Sequence, residues 1–537
     1  MSTQKIIQTG KVGLVSRPNN SVPSNTFDLS YDVKTSFNIG ELIPIGCWEA
    51  LPGDRFNCQS EALVRFAPML APIMQRLNLR LEYFFVPNRI LWSDWEDFIS
   101  PSTEGEASPS MAAFSDDFQV TPYSVSGYLG LPLTGPDLVI SKDDVNCLRH
   151  AGYRRIYEDW YRDENYDMSG GNTSLSSGFT NQFDIYDHIF TRNLDRDYFT
   201  SSYPWPQKGA DVLIPVTIDQ TPQVVPVSRT SQGVYTVFEP VDNADHSGGA
   251  VDWVPDPEPS SNTGYLTAGS TPLSIDPGSS GFQVSIPADS STVGTINDLR
   301  TAAAVQRWLE ADIYGTRYIE LIENHFATTV EDFRLQRAEF LGMTLEPIQI
   351  SEVLQTSETA TSPQGNMSGH GLAVHKGEHY NYHCKEHGHF YVIASVLPTN
   401  AYYQGVARGF SRFDRLDFAW PELANIGFQE LLNKELFYDV SDDLNGDVFG
   451  YVPRYNEYRT MYSQVTGEFA TNLQYWHMGR DFASRPTHTE PFNTTDPSTV
   501  DRVFAVVEST VSHLYVHAFH KCKVNRKLPR FSVPYLH

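Results

Sequence analysis

The chain of 537 residues is short of cysteines and of positive charge, and each shortage narrows what it does. Its five cysteines, Cys47, Cys58, Cys147, Cys384 and Cys522, are an odd number, widely spaced, with no C-x-x-C pair. The sequence therefore predicts reduced thiols and no disulfide framework. No apolar run is long enough to span a membrane. The opening MSTQKIIQTGKVGLV lacks the continuous apolar stretch of a secretory signal, so the sequons at Asn19, Asn172, Asn366 and Asn493 carry no weight. With 39 Lys and Arg against 65 Asp and Glu, the net charge of −26 excludes a surface that grips nucleic acid all over. Catalytic signatures are missing as well: there is no G-x-S-x-G, no phosphate loop and no H-E-x-x-H. A calcium loop at Asp443, Asn445 and Asp447 fails, because Val448 stands at the glycine position and Arg454 at that of the last glutamate.

What is present reads as strands and turns. Aromatics at 13%, 34 prolines and 36 glycines suit many strands joined by tight connections better than a helical bundle. The length suggests several domains, or one all-β architecture with long insertions. Phe27–Thr35 alternates apolar and polar residues as a half-buried strand does, and so does Leu77–Phe85, with Asn78, Arg80 and Glu82 on the polar side. Glu49–Asp54 is a turn around Pro52 and Gly53. Trp92, Trp95, Phe98 and Ile99 follow helical spacing, and Pro101–Thr121 reads as polar loop. Helices are predicted from a cap at Asp143 or Asp144 to Arg162, from Asn297 or Asp298 to about Tyr314 with Gly315 as the stop, and over Arg317–His325. Arg502–Val524 is mostly strand-like, with alternation at Leu514, Val516, Ala518, His520, Cys522 and Val524. Many strands, few helices and no internal repeat predict an all-β sandwich or barrel.

Charge divides the chain. Met1–Thr26 contains no acid, only Lys5, Lys11 and Arg17; Val511–His537 again contains none, and gathers Lys521, Lys523, Arg526, Lys527 and Arg530. Between Ala210 and Asp298 the only cation is Arg229, among short β-type runs at Val212–Ile218, Val224–Val227, Gly233–Phe238 and Phe282–Ile286. The organisation predicted is 1–209 as the first part of a core with a basic arm, 210–298 as an acidic surface insertion, and 299–537 as the remainder with a basic end. Such segregation suits two environments, one of them polyanionic. Lys521, Lys523, Arg526, Lys527 and Arg530, interleaved with Phe519 and Phe531, are candidates for neutralising phosphates and stacking bases, together with Lys5, Lys11 and Arg17. The insertion's Tyr235, Phe238, Trp253 and Tyr265 are candidates for contact with a host-surface molecule, or form a small core of their own.

Two further clusters stand out. His370, His375, His379, His383, Cys384, His387 and His389 are spaced as zinc ligands would be on a helix, but Gly371, Gly377 and Gly388 interrupt any helix. On a strand, His375, His379 and His383 lie too far apart for one ion. Phe449–Phe469, FGYVPRYNEYRTMYSQVTGEF, packs Tyr451, Arg454, Tyr455, Tyr458, Arg459 and Tyr462 together, residue types over-represented where one protein covers another.

That stretch, G-Y-x-P-R-Y-x-E-Y-R followed by V-T-G-E-F, resembles the major capsid protein of gokushoviruses, small tailless phages of the Microviridae with single-stranded DNA genomes. So do E-x-L-P-G-D, F-F-V-P-N-R, YEDWYRDEN, AAAVQRWLEADIYGTRYIELIENHF, LQTSET, PQGNMSGHG, EHGHFYVIASVLP and PELANIGFQELLNKELF, in the same order. The resemblance covers nearly all the chain outside about 165–298 and the extreme ends. It implies an eight-stranded viral jelly roll with long loop insertions holding a few short helices, and a T=1 icosahedral homo-oligomer enclosing circular single-stranded DNA. It further implies no cofactor and no catalysis, a place in the virion after assembly in the bacterial cytoplasm, and partners among minor phage proteins such as a small basic DNA-binding or pilot protein. The family's insertion varies, so it assigns no receptor residue. Two other readings are a cupin-like metal-dependent or carbohydrate-active enzyme using His370–His389, and a monomeric glycan-binding module using the insertion's aromatics.

Overall fold

The structure, a computed structural model, describes residues 24–100, 108–133, 139–166, 174–209, 317–354, 367–441, 443–506 and 511–531, with short helix and strand segments between 212 and 312. It divides into two compact units, 1–206 with 313–537, and 207–312.

In the larger unit, ten strands form one antiparallel sheet that curls on itself. They are β1 (Asn25–Asp28), β2 (Tyr31–Phe37), β3 (Ile43–Ala50), β4 (Arg55–Phe66), β5 (Leu77–Pro87), β6 (Glu339–Leu354), β7 (Met367–Lys376), β8 (Tyr380–His383), β9 (Gly388–Pro398) and β10 (Leu514–Arg526). One wall runs β2–β10–β4–β7 and the other β3–β9–β5–β6. The long β6 turns the corner, pairing with β5 through Ile348 and with β7 from Gln349. Two four-stranded walls closed in this order make an eight-stranded jelly roll, as expected, with β1 and β8 as additions to the first wall. The connection between β5 and β6 spans 88–338, and that between β9 and β10 spans 399–513.

Two apolar layers explain why the strands read so differently. The first lies between the walls, where Phe56, Phe85, Phe390 and Val516 are buried together and the Phe56 and Phe390 rings stack at 5.5 Å. The second covers the outer side of the β3–β9–β5 wall: Phe84, Val86, Tyr391 and Ile393 pack against Trp92, Phe114, Tyr153 and Ile156 of the long connection. Burying each such side chain is worth about 1.5–3 kcal/mol. With both faces covered, every residue of β9 is buried. β10 has only one face covered, and its burial alternates along the strand.

Several local expectations are corrected. Glu82, assigned to a polar face, is only 5% exposed because that face is also roofed over. Its carboxylate is taken up by Arg192, with Nη2 to Oε1 at 3.1 Å, and by the Tyr161 hydroxyl. Phe27–Thr35 is broken at Leu29–Ser30, where the Asp28 carboxylate accepts the Ser30 N–H at 3.0 Å and turns the chain. Asp143 and Asp144 sit in a separate single turn; the helix itself is Leu148–Ile156, continued by a wider turn to Tyr161, and Asn146 Oδ1 accepts the Leu148 N–H at 3.1 Å in the capping role. Within the predicted loop Pro101–Thr121, Phe114, Phe118 and Val120 are buried in the second layer. Arg502 belongs to a 3-10 turn, Pro497–Val503, and the strand starts only at Leu514. Cys58 and Cys522, predicted reduced, form a disulfide; they face each other in the β4–β10 register, a pairing that a separation of 464 residues conceals. The other three cysteines are free.

The smaller unit contains a four-stranded sheet built on Val224–Arg229 and Gln283–Ser285, a three-stranded sheet around Gly264–Ala268, and the helix Ile296–Asp312. Asn297 and Asp298 lie inside that helix's first turn, not before it. Gly315 lies outside the described residues. The next helix is Tyr318–Phe326, with Arg317 in the preceding position.

Burial holds four histidines neutral. His520 is fully enclosed between Ser60 Oγ at 2.8 Å and the Ile45 carbonyl at 2.9 Å, and burial pulls it down to about 4. Burial likewise lowers His389 and His150 to about 3 and His488 to about 4. Each is uncharged in the folded chain yet takes a proton below about 6.5 when unfolded, so stability falls as pH drops from there toward 4. The urea-unfolding midpoint of the subunit is expected to decline steeply across that window, each such histidine contributing about 1.4 kcal/mol per pH unit. His520→Gln should flatten the slope.

Candidate functional site

Among the described residues, the β2–β10–β4–β7 wall is covered on its inner face only. On its other face β10 presents Tyr515, His517, Phe519, Lys521 and Lys523, all exposed. Their cross-strand neighbours on β4 are Arg65 opposite Tyr515, Glu61 opposite Phe519 and Asn57 opposite Lys523. β2 adds Lys34 opposite His517, and β7 adds Lys376 opposite Glu61. The same face thus carries Lys34, Arg55, Arg65, Lys376, Lys521 and Lys523 against Asp28, Asp32 and Glu61. None of the six cations has an ion pair among the described residues, while Asp32 is engaged by His517 at 3.1 Å. Same-face residues repeat about every 7 Å along a strand. The result is a lattice of free cations interleaved with two aromatic rings, on a protein whose overall charge is strongly negative.

Only Lys521 and Lys523 of this lattice were legible as a local pattern, since the other cations come from three strands far apart in sequence. Lys527, Arg530 and Phe531 follow β10 and are exposed. Arg526 differs. Its guanidinium reaches Asp54, which is 1% exposed, at 2.6 Å and donates to the Glu49 carbonyl at 3.1 Å. Its charge is therefore used within the fold. Lys5, Lys11 and Arg17 lie outside the described residues.

The tyrosine- and arginine-rich stretch separates into two sides. Tyr455 is buried, with φ of 62°, and Arg454 lies 5.0 Å over its ring. Tyr462 packs 4.9 Å from Phe199, and Tyr451 exchanges backbone hydrogen bonds with Tyr203. Tyr458 and Arg459 are exposed, and Arg412 stacks 4.4 Å from the Tyr458 ring while pairing with Glu457 at 3.1 Å. Beside them lies a feature that strand and helix periodicity does not reveal. Phe410, Phe413, Leu416, Phe418, Trp420 and Ile426 are all exposed, Phe413 to 92% and Phe410 to 82%, and Met461 adds another 82%. The signal in the sequence is aromatic density in a charged, aperiodic loop, GFSRFDRLDFAW.

The histidine cluster is dispersed. His389 lies in the other wall, buried against Asn88 at 3.1 Å; His379 and His383 are exposed at β8; His387 stands 5.7 Å from the Trp95 ring. The side chains of His370 and His375 are outside the described residues. Among those described, no group of histidines, cysteines and carboxylates is arranged to hold a metal ion. In the smaller unit, Tyr235, Trp253 and Tyr265 fall on strands, Trp253 opposite Leu266 and Tyr265 opposite Val254. Phe238 lies outside the described residues. No described helix is long and apolar enough to cross a membrane.

Residues 17–536 match the family described as Capsid protein (F protein). Capsid protein VP1 of Bdellovibrio phage phiMH2K is 32% identical to this chain, covering 87% of each. Capsid protein VP1 of Chlamydia phage 1 is 32% identical and that of Spiroplasma virus 4 is 28% identical, each alignment covering 96% of both chains.

Proposed function

The chain belongs to the capsid protein (F protein) family, in its gokushovirus branch, and on that premise we propose that it is the major subunit of a T=1 icosahedral shell enclosing circular single-stranded DNA. As a capsid protein it is structural and not an enzyme. The observation that carries the assembly reading is the exposed strip from Phe410 to Ile426 with Met461. A monomer rarely leaves so many large apolar side chains in water, and second copies of the chain are the occupants a closed shell supplies. Tyr458 and Arg459, beside the strip, extend the same contact, and Tyr451, Arg454, Tyr455 and Tyr462 are proposed to support it from within the subunit.

The free cations of the β2–β10–β4–β7 face, with Lys527, Arg530 and the basic arm of Lys5, Lys11 and Arg17, supply the charge that packaged DNA requires. By the same electrostatics the acidic 210–298 insertion is repelled by the genome. It is proposed to lie outward and to meet the host receptor through Tyr235, Phe238, Trp253 and Tyr265. A small basic DNA-binding or pilot protein completes the particle, which assembles in the bacterial cytoplasm. Electron cryomicroscopy of DNA-filled particles tests this arrangement. Density for DNA should follow the Lys521–Lys523 face, with the insertion on the outside of the shell; DNA against the insertion would overturn it.

A further inference from the structure

At one end of the cationic face, β10, β4 and β8 lie side by side beneath an open depression of about 500 Å3. Its lining is ordered by the strand register. One row across the strands is Lys523, Asn57, Asn381; the next is Asn525, Arg55, His383. The same-face periodicity of strands puts both rows on the open side, with Thr26 of β1 beside Asn525. The volume is within the range of about 300–1,000 Å3 that seats a small molecule, and a single nucleotide fits it.

The chemistry of the lining is selective. Asn57 Nδ2 donates to Asn381 Oδ1 at 2.7 Å. That bond leaves Asn57 Oδ1 and Asn381 Nδ2 without a partner among the described residues, and swapping both amide orientations again leaves one oxygen and one NH2 free. The two asparagines therefore act as a unit offering one acceptor beside one donor. Each DNA base carries a donor next to an acceptor on its Watson–Crick edge, so the pair can hold any base, but only one whose edge is not already occupied in a duplex. Arg55 and Lys523 flank the pair and have no ion pair among the described residues, which leaves both for a phosphate. The exposed His383 ring offers a stacking surface. The nearest acid in register, Asp28 opposite Lys523, is held below its ordinary range first by Ser30, which donates from its N–H and hydroxyl, and to a lesser degree by the charges of Lys523 and Lys521, neither of which forms an ion pair with it.

We propose that this depression is a single-nucleotide seat for single-stranded DNA, in which the Asn57–Asn381 pair engages the base edge without sequence preference while Arg55 and Lys523 hold the phosphate. The seat rests on the reading of the shell as a DNA container and adds a preference for unpaired bases that charge alone does not give.

The test uses the full-length chain before assembly and two fluorescent probes, an oligodeoxythymidylate and the abasic deoxyribose-phosphate oligomer of the same length. The wild type should favour the base-bearing probe. Asn57→Ala with Asn381→Ala should lose about tenfold on that probe, the worth of two hydrogen bonds, and bind the abasic one unchanged. Asn381→Ala alone, a milder change on an exposed edge strand, should lose part of the same preference. Arg55→Gln with Lys523→Gln should weaken both probes alike and lower the salt slope by about 0.7, one phosphate's worth for a single strand. An unchanged preference for bases in both asparagine variants would overturn the seat while leaving the container reading intact. Failure of the wild type to bind either probe would overturn the container reading itself.

Discussion

Replacing Phe410 and Phe413 together by serine is expected to abolish shell formation and leave a soluble subunit that unfolds at the wild-type urea concentration. Both rings are almost wholly in water in the isolated chain, so their removal takes little from its own stability; exposed substitutions change folding by about 0.5 kcal/mol or less. At a subunit contact the same rings are worth about 1.5–3 kcal/mol each when buried. Every copy in a closed shell repeats the contact, so a loss that would only weaken one dimer prevents closure of the whole particle. Sedimentation velocity separates the two species directly. Shells from the double variant would remove the strip from the contact, and a lowered unfolding midpoint would return the two rings to the subunit's own core.

The second large effect is expected inside the fold, at a residue that looks from sequence like one more DNA contact. Arg526→Gln should destabilise the subunit by about 3–5 kcal/mol, because it leaves the buried Asp54 carboxylate without its counter-charge. The Leu51 N–H, which donates to Asp54 at 2.9 Å, is too little to compensate. Lys521→Gln with Lys523→Gln, on the open face three to five positions earlier, should change the unfolding midpoint hardly at all and lower DNA affinity instead. Equal unfolding midpoints for the two variants would contradict the division of roles.

The contrast between these cations shows where the sequence was informative. β10 was readable because one of its faces is bare, so Leu514 through Val524 alternate as a half-buried strand must. β9 and the Glu82 side of β5 misled or gave nothing by periodicity, because the long β5–β6 connection returns to cover their outer face. The jelly roll itself was legible from capsid-like words together with strand patterning. The disulfide, the Asn57–Asn381 pair and four of the six cations on the open face depend on which strands become neighbours, which no local window contains. Arg526 and Lys523 are alike as letters; only the buried Asp54 beneath one of them gives it a different task. The histidine cluster failed for a related reason. Spacing of four suggests a shared face, but the chain turns between β8 and β9 and puts His383 and His389 in different walls.

The measurement that bears most directly on the whole account is the particle formed by the purified full-length chain at neutral pH, by sedimentation velocity and electron microscopy, with and without circular single-stranded DNA. Uniform closed T=1 shells that take up the DNA are the expected result. A monomer that persists at high concentration, with DNA and the minor phage proteins supplied, would contradict it.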